Sequence, residues 1–193
     1  MPITFEITRS QRLLRQYYEL RHTYFKRDLG IEDFDGFEDE GDRNGKILIA
    51  HRAGEVIAGA RISTSEGMLR QVREFDLAPD RCCMWERLVI SPEERNLEVG
   101  RDFTSAMIDV SLNLGYRHAM VLSTLRISRL YRLCHAGLGI EFEIKRAAPE
   151  CVSPAFAELD HYISLAHIHQ RDPVRPVMGR ANTGAWPAMV ATA

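Results

Sequence analysis

A mixed α/β fold is predicted for this chain, a central sheet with helices on both faces, and three observations predict it. Apolar residues recur at helical spacing over residues 10–28 and 101–114, with short strand-like runs between and after them. Two of those runs close across Arg52-Ala53-Gly54 as a β-hairpin. The 193 residues contain no internal repeat and no second apolar core, which fits one domain over residues 1–170 and an irregular tail over 171–193.

In order, the first helix spans residues 10–28. Ser10 can cap it, Leu13, Leu14, Tyr17, Leu20, Tyr24 and Phe25 form its apolar stripe, and Gly30 ends it. An acidic loop with Gly36 and Gly41 leads into the hairpin of residues 46–63. Residues 63–70 read as a turn and 72–75 as a short helix. Residues 84–90 are a third strand, broken by Pro92. The second long helix carries Phe103, Met107, Val110 and Leu114 on one face, and Gly115 stops it. Residues 118–123 form a buried strand, 128–135 a short helix, and 142–145 a last strand. A further helix is expected over residues 153–169. The tail carries Pro173, Pro176, Gly179, Gly184 and Pro187, which break regular structure.

With 45% apolar and 27% charged residues and a net charge of −2, the composition is that of a soluble globular protein and argues against a dedicated nucleic-acid binder. The N-terminus lacks the order of a signal peptide, and no apolar run is long enough for an integral membrane segment. Cys82, Cys83, Cys134 and Cys151 lack metal-ligand spacing, so reduced thiols in a cytoplasmic protein are expected.

Charge is unevenly spread. Residues 31–45 hold seven acids against Arg43 alone, whereas Arg117, Arg126, Arg129 and Arg132 lie in a stretch without an acid. Either run reads as a solvated face, and the basic one equally as a site for an acidic partner. Arg61 ends the hairpin directly after this acidic stretch. A strand arginine faces solvent or is buried and paired. The acidic loop and Glu86 on the next strand favour the paired reading, with Asp42 as first partner.

Other chemistries find little support. The glycines of the hairpin do not open a helix, so no phosphate loop is implied. The seven histidines lack zinc spacing, and His161, His167 and His169 are expected on a helix surface. No Gly-x-Ser-x-Gly elbow is present. Cys134 and His135 are adjacent on a helix and point apart, which favours a packed thiol over a nucleophile pair.

The element order, together with Arg21-x-x-Tyr24-Phe25-x-x-x-Leu29-Gly30, Gly59-Ala-Arg61-Ile62, Met68-Leu69 followed by Phe75, and Trp85-Glu86-Arg87-Leu88-Val89, resembles the GNAT acyltransferase fold. Within it the chain looks like the autoinducer (acyl-homoserine-lactone) synthases and their relatives, the N-acyl amino acid synthases of the N-acyl tyrosine type. The resemblance covers residues 10–140. It implies splayed middle strands, with an acyl tunnel between residues 84–90 and 118–123. It also implies acyl transfer to an amine from a thioester, acyl-phosphopantetheine on acyl carrier protein, without a tightly bound cofactor or metal.

By that resemblance Glu86 is the candidate catalytic base or amine-orienting group. Arg21, Phe25, Asp42, Arg61, Trp85 and Arg87 are candidate substrate-site residues, and Arg126, Arg129 and Arg132 would dock the carrier protein. Arg87, next to Glu86, is expected on the opposite face of the strand, as an ion pair or a substrate contact. Three departures from the autoinducer synthases fall where their acceptor binds: Ile31 in place of Trp, a shortened acidic motif at Glu38-Asp39-Glu40-Gly41-Asp42, and adjacent Glu86 and Arg87. The pyrophosphate loop of acetyl-CoA enzymes is only faint, at Arg95 to Gly100. A long-chain N-acyl amino acid synthase is therefore the expected function, tyrosine the acceptor of choice. A lactone synthase using S-adenosylmethionine and a non-catalytic acyl-binding module are the rivals.

Overall fold

The structure, a computed structural model, describes residues 1–29, 34–64, 72, 73, 75–148, 152 and 160–171. Gly30, Ile31, residues 65–70 of the turn expected over 63–70, and the tail expected beyond residue 171 lie outside the described residues. Among the described residues seven strands form one mixed sheet: β1 (Thr4–Ile7), β2 (Lys46–Arg52), β3 (Glu55–Ser63), β4 (Cys82–Ile90), β5 (His118–Thr124), β6 (Phe142–Arg146) and β7 (His161–Ala166), in the order β1-β2-β3-β4-β5-β7-β6. The helices are α1 (Gln11–Leu29), the short α2 (Glu40–Asn44), α3 (Leu97–Asn113) and α4 (Leu125–His135). No helix among the described residues is long and apolar enough to cross a membrane.

Two strands go beyond the expectation. Ile3, Phe5 and Ile7 alternate with polar residues and give β1, antiparallel to β2. The helix expected over residues 153–169 is overturned where the chain is described, because residues 161–166 are β7, hydrogen-bonded to β5 on one side and β6 on the other. A strand covered on both faces buries consecutive residues, here Ile163, Ser164, Leu165 and Ala166, and its sequence does not alternate. Of the histidines expected on that helix, His161 opens β7, and His167 and His169 follow its end. His167 and His169 pack edge-on around His118 at 5.0 and 5.1 Å. Two smaller corrections concern starts and loops: α3 begins four residues earlier than expected, capped by Asn96, and α2 occupies part of the acidic loop.

The sheet is clad on both faces. Along β2, Leu48 and Ala50 join Trp85, Phe103, Met107 and Tyr131 beneath α3 and α4. Ile47 and Ile49 join Leu13, Tyr17 and Val89 beneath α1. Gly59 decides how close α1 comes: a Cβ there would stand 2.3 Å from the Tyr17 ring. Gly59→Ala is therefore expected to lower the unfolding free energy by about 1–3 kcal/mol in urea titrations.

β4 and β5 are parallel and pair only over Cys82–Met84 with His118–Met120. Beyond Met84 and Met120 the two strands are no longer paired, in keeping with the splayed middle strands that the resemblance implied. On the α3 and α4 side of β4, Trp85 stacks on His135 at 5.8 Å, and His135 Nδ1 bonds the Tyr131 carbonyl. Burial holds the His135 pKa down to about 4, against the opposing pull of that bond. The folded value lies below the ordinary 6.5, so the unfolded chain takes up the proton first as pH falls. Stability should decline between pH 6.5 and about 4, by about 3 kcal/mol for this group. His118 has a pKa shifted the same way and adds to the decline. Urea midpoints at pH 7 and 4.5 should fall further apart for the wild type than for His135→Phe.

Candidate active site

On the α1 side, four segments bring six charged side chains into one cluster. Arg21, fully buried on α1, donates from Nη1 and Nη2 to both oxygens of Asp42 at 3.0 and 2.8 Å. It also donates to the carbonyls of Gly36 and Phe37. Its guanidinium lies over the Tyr17 and Tyr18 rings at 5.3 and 5.0 Å. With these donors committed to the protein, Arg21 is a clamp on the acidic segment and does not present itself to a substrate.

α2 is set by a reciprocal cap. The Asp42 backbone N–H donates to Asp39 Oδ1, and the Asp39 N–H donates to Asp42 Oδ2. Asp42 thereby takes bonds from Arg21, Asp39 and Arg61, with its carboxylate sealed from solvent. Arg61, 6% exposed, passes so close to Gly41 that a Cβ there would stand 2.5 Å from Nη1. Its Nη1 meets Asp39 and, at 3.1 Å, Asp42, while Nε donates to Glu86 Oε2 at 3.0 Å. Burial works against the Arg61 charge, but Glu86, Asp39 and Asp42 outweigh it and hold the pKa above its ordinary value. For Asp39, burial pulls upward, and the Asp42 N–H with the Arg61 and Arg87 guanidiniums hold the carboxyl below the usual range.

Glu86 stands opposite Arg61 in the β3–β4 register, so both side chains leave the same face. Ser63 also donates to Glu86 Oε2, which leaves Oε1 outside both bonds. Arg87 departs from the expectation of an opposite face. Its φ of +56° and the register shift opposite Ala60 form a bulge in β4, and two consecutive side chains then serve one side. Arg87 reaches Asp39 at 3.4 Å and lies over Phe34 at 5.1 Å, and Phe34 packs on Phe25 at 5.0 Å. Burial, with Arg61 and Arg21 nearby, holds the Arg87 pKa below its ordinary value. Its side chain is the most accessible of the three, 26% exposed against 7% for Arg61 and 1% for Arg21.

The structure therefore brings together Arg21, Phe25, Asp42, Arg61, Glu86 and Arg87 of the residues expected at the site. It does not bring Trp85, which is 2% exposed in the opposite core and donates to Ser111 Oγ at 3.0 Å. Arg126, Arg129 and Arg132 are exposed along α4, interleaved with exposed Ile127, Leu130 and Leu133. Asp39, Tyr17, Phe34 and Ser63 were not among the residues singled out. Asp39-x-x-Asp42 resembles a capping box and was a readable signal for the first. Among the described residues, no group of His, Cys, Asp or Glu is arranged to hold a metal ion.

No family model matches the sequence, and no curated protein sequence matches it. Solved structures do match. BjaI, a CoA-dependent acyl-homoserine lactone synthase solved with SAM and isopentyl-CoA, has 18% identity and a TM-score of 0.61 over 86% of this chain and 83% of its own. LasI, an AHL synthase, has 16% identity and a TM-score of 0.60 over 86% and 88%. An acetyltransferase of the GNAT family from Staphylococcus aureus Mu50 has 12% identity and a TM-score of 0.56 over 84% and 97%. At such identities the likeness speaks for architecture, and with the mixed seven-stranded sheet and its parted β4 and β5 it establishes that this chain has the GNAT fold.

Proposed function

We propose that the chain is an N-acyltransferase. It would move a long-chain acyl group from the phosphopantetheine thioester of acyl carrier protein to the α-amine of an amino acid, tyrosine first among the candidates. The observation that carries this reading is the placement of Glu86 and Arg87, a carboxylate and a cation side by side at a bulge where β4 parts from β5. An amino acid offers the complementary pair, an ammonium for Glu86 and a carboxylate for Arg87.

In the reaction the amine nitrogen attacks the thioester carbonyl, a C–N bond forms, and the C–S bond breaks. The bound ammonium must first release one proton to solvent through Glu86 Oε1, directly or through one water; after the attack the nitrogen gives its second proton to Glu86, which passes it to the departing thiolate. Backbone N–H groups of β4 beside the bulge would receive the oxyanion. The acyl chain would lie in the cleft between β4 and β5. Arg61 and Arg21 fix the acidic segment and transfer no proton. The exposed arginines of α4 suit an acidic carrier protein, and with such a donor the reaction would belong to the cytoplasm.

The likeness to BjaI and LasI favours a second reading, a lactone synthase with S-adenosylmethionine as acceptor. One experiment separates them. The protein is incubated with dodecanoyl to hexadecanoyl chains on carrier protein or CoA, plus an amino-acid mixture or S-adenosylmethionine, and products are read by mass spectrometry. An acyl amino acid is the expected product. A lactone formed only with S-adenosylmethionine overturns it in favour of the second reading, and no product from any mixture leaves an acyl-binding module.

A further inference from the structure

Resting on that reading of the site, we infer that Tyr17 is a positioning residue: its hydroxyl pins the β4 bulge and so holds the Arg87 guanidinium where the acceptor's carboxylate binds. Tyr17 lies on α1 and is completely buried, yet its Oη donates to the Arg87 carbonyl at 2.9 Å, across 70 residues of sequence. That carbonyl belongs to the residue with φ +56°, in the stretch where β3 and β4 fall out of register. A left-handed arginine in a strand is strained, and it persists only where its surroundings hold it. The Tyr17 bond is such a hold, because it satisfies a bulge carbonyl from outside the strand ladder.

The surroundings are shaped for this contact. Gly59, on the strand next to β4, has no side chain where the Tyr17 ring passes; any Cβ would stand 2.3 Å from it. On its other side Tyr17 lies beneath Arg21, which grips Asp42. A chain of contacts therefore runs from the acidic segment through Arg21 and Tyr17 to the backbone of Arg87. Burial pushes the Tyr17 pKa well above its ordinary value, so the hydroxyl keeps its proton and stays a donor.

Without the pin, Arg87 would lose its fixed direction while Glu86, held by Arg61 and Ser63, would keep its own. The predicted signature is a defect specific to acceptors that carry a carboxylate. Tyr17→Phe removes one hydroxyl and keeps the ring. The expected result is a rise of about tenfold in KM for the amino acid, with kcat and the KM for the corresponding amino-acid amide nearly unchanged. In an Arg87→Gln background, Tyr17→Phe should add nothing further. Equal losses on both acceptors, or additive losses in the double variant, would overturn the assignment.

Amide hydrogen exchange supplies a readout that needs no turnover. Exchange at Arg87 and Leu88 should quicken in Tyr17→Phe by about tenfold, with β2 and α3 unaffected. Unchanged exchange at these two amides would overturn the pin. If the wild-type protein transfers no acyl group to any acceptor, the acyl-transfer reading fails, and the exchange result still decides whether Tyr17 holds the bulge.

Discussion

Asp42→Asn is expected to cost about 3–5 kcal/mol of unfolding free energy, the largest loss from any single change at the site. The carboxylate faces two buried guanidiniums, from Arg21 at 2.8 Å and Arg61 at 3.1 Å, with no solvent access. Asparagine keeps the volume and one acceptor oxygen, but it presents an amide where a guanidinium donates. Two cations then remain out of water with less negative charge to balance them. Asp39 is the control, since it belongs to the same cluster with its side chain 37% exposed. Asp39→Asn retains a side-chain oxygen able to cap α2, and water screens what remains, so a loss of about 1 kcal/mol or less is expected. Urea denaturation of the two variants at pH 7 makes the comparison. Similar losses for both would show that Asp42 does not carry its charge buried, as the geometry requires.

The same contrast shows what the sequence could and could not disclose. Arg61, Glu86 and Asp42 were legible because each breaks a local expectation: charges on strands, and an acidic run beside them. Pairing such residues follows from the cost of burying a lone charge, which needs no coordinates. Arg87 was misplaced because side-chain alternation is a rule for regular strands, and a bulge cancels it with a single residue. Nothing in Trp85-Glu86-Arg87-Leu88 announces a left-handed φ. That conformation is enforced from α1 by Tyr17, which in sequence is only one more apolar position of a helical stripe.

The fold divides in the same way. Elements covered on one face, such as α1 and the β2–β3 hairpin, display their period and were readable. β7 is enclosed by β5 and β6, and its run His161-Tyr-Ile-Ser-Leu-Ala166 suits a helix as well as a strand. β1 did alternate, but a short run at the chain's start gains its meaning only from its partner β2. Trp85 illustrates the limit of motif reading, for it adjoins Glu86 in sequence and yet fills the opposite core against Ser111 and His135.

Glu86→Gln should reduce acyl transfer by about a hundredfold or more while leaving the fold intact, if Glu86 accepts the amine's proton. The substitution is close to isosteric, and an amide oxygen can still accept from Arg61 Nε and Ser63 Oγ in the place of Oε2. The Glu86 side chain is 24% exposed, so the lost ion pair with Arg61 is partly screened, and Arg61 keeps Asp39 and Asp42. Stability should therefore fall by only about 1 kcal/mol. What glutamine cannot do is bind a proton, so the loss should appear in kcat with the amino-acid KM changed far less. Arg87→Gln should behave the other way, raising KM for a carboxylate-bearing acceptor and sparing turnover at saturation. The pair of variants assigns chemistry to one residue and recognition to its neighbour. Near-wild-type kcat in Glu86→Gln would remove Glu86 from proton transfer. The attacking amine would then arrive already neutral from solvent, and the cluster would be left with binding alone.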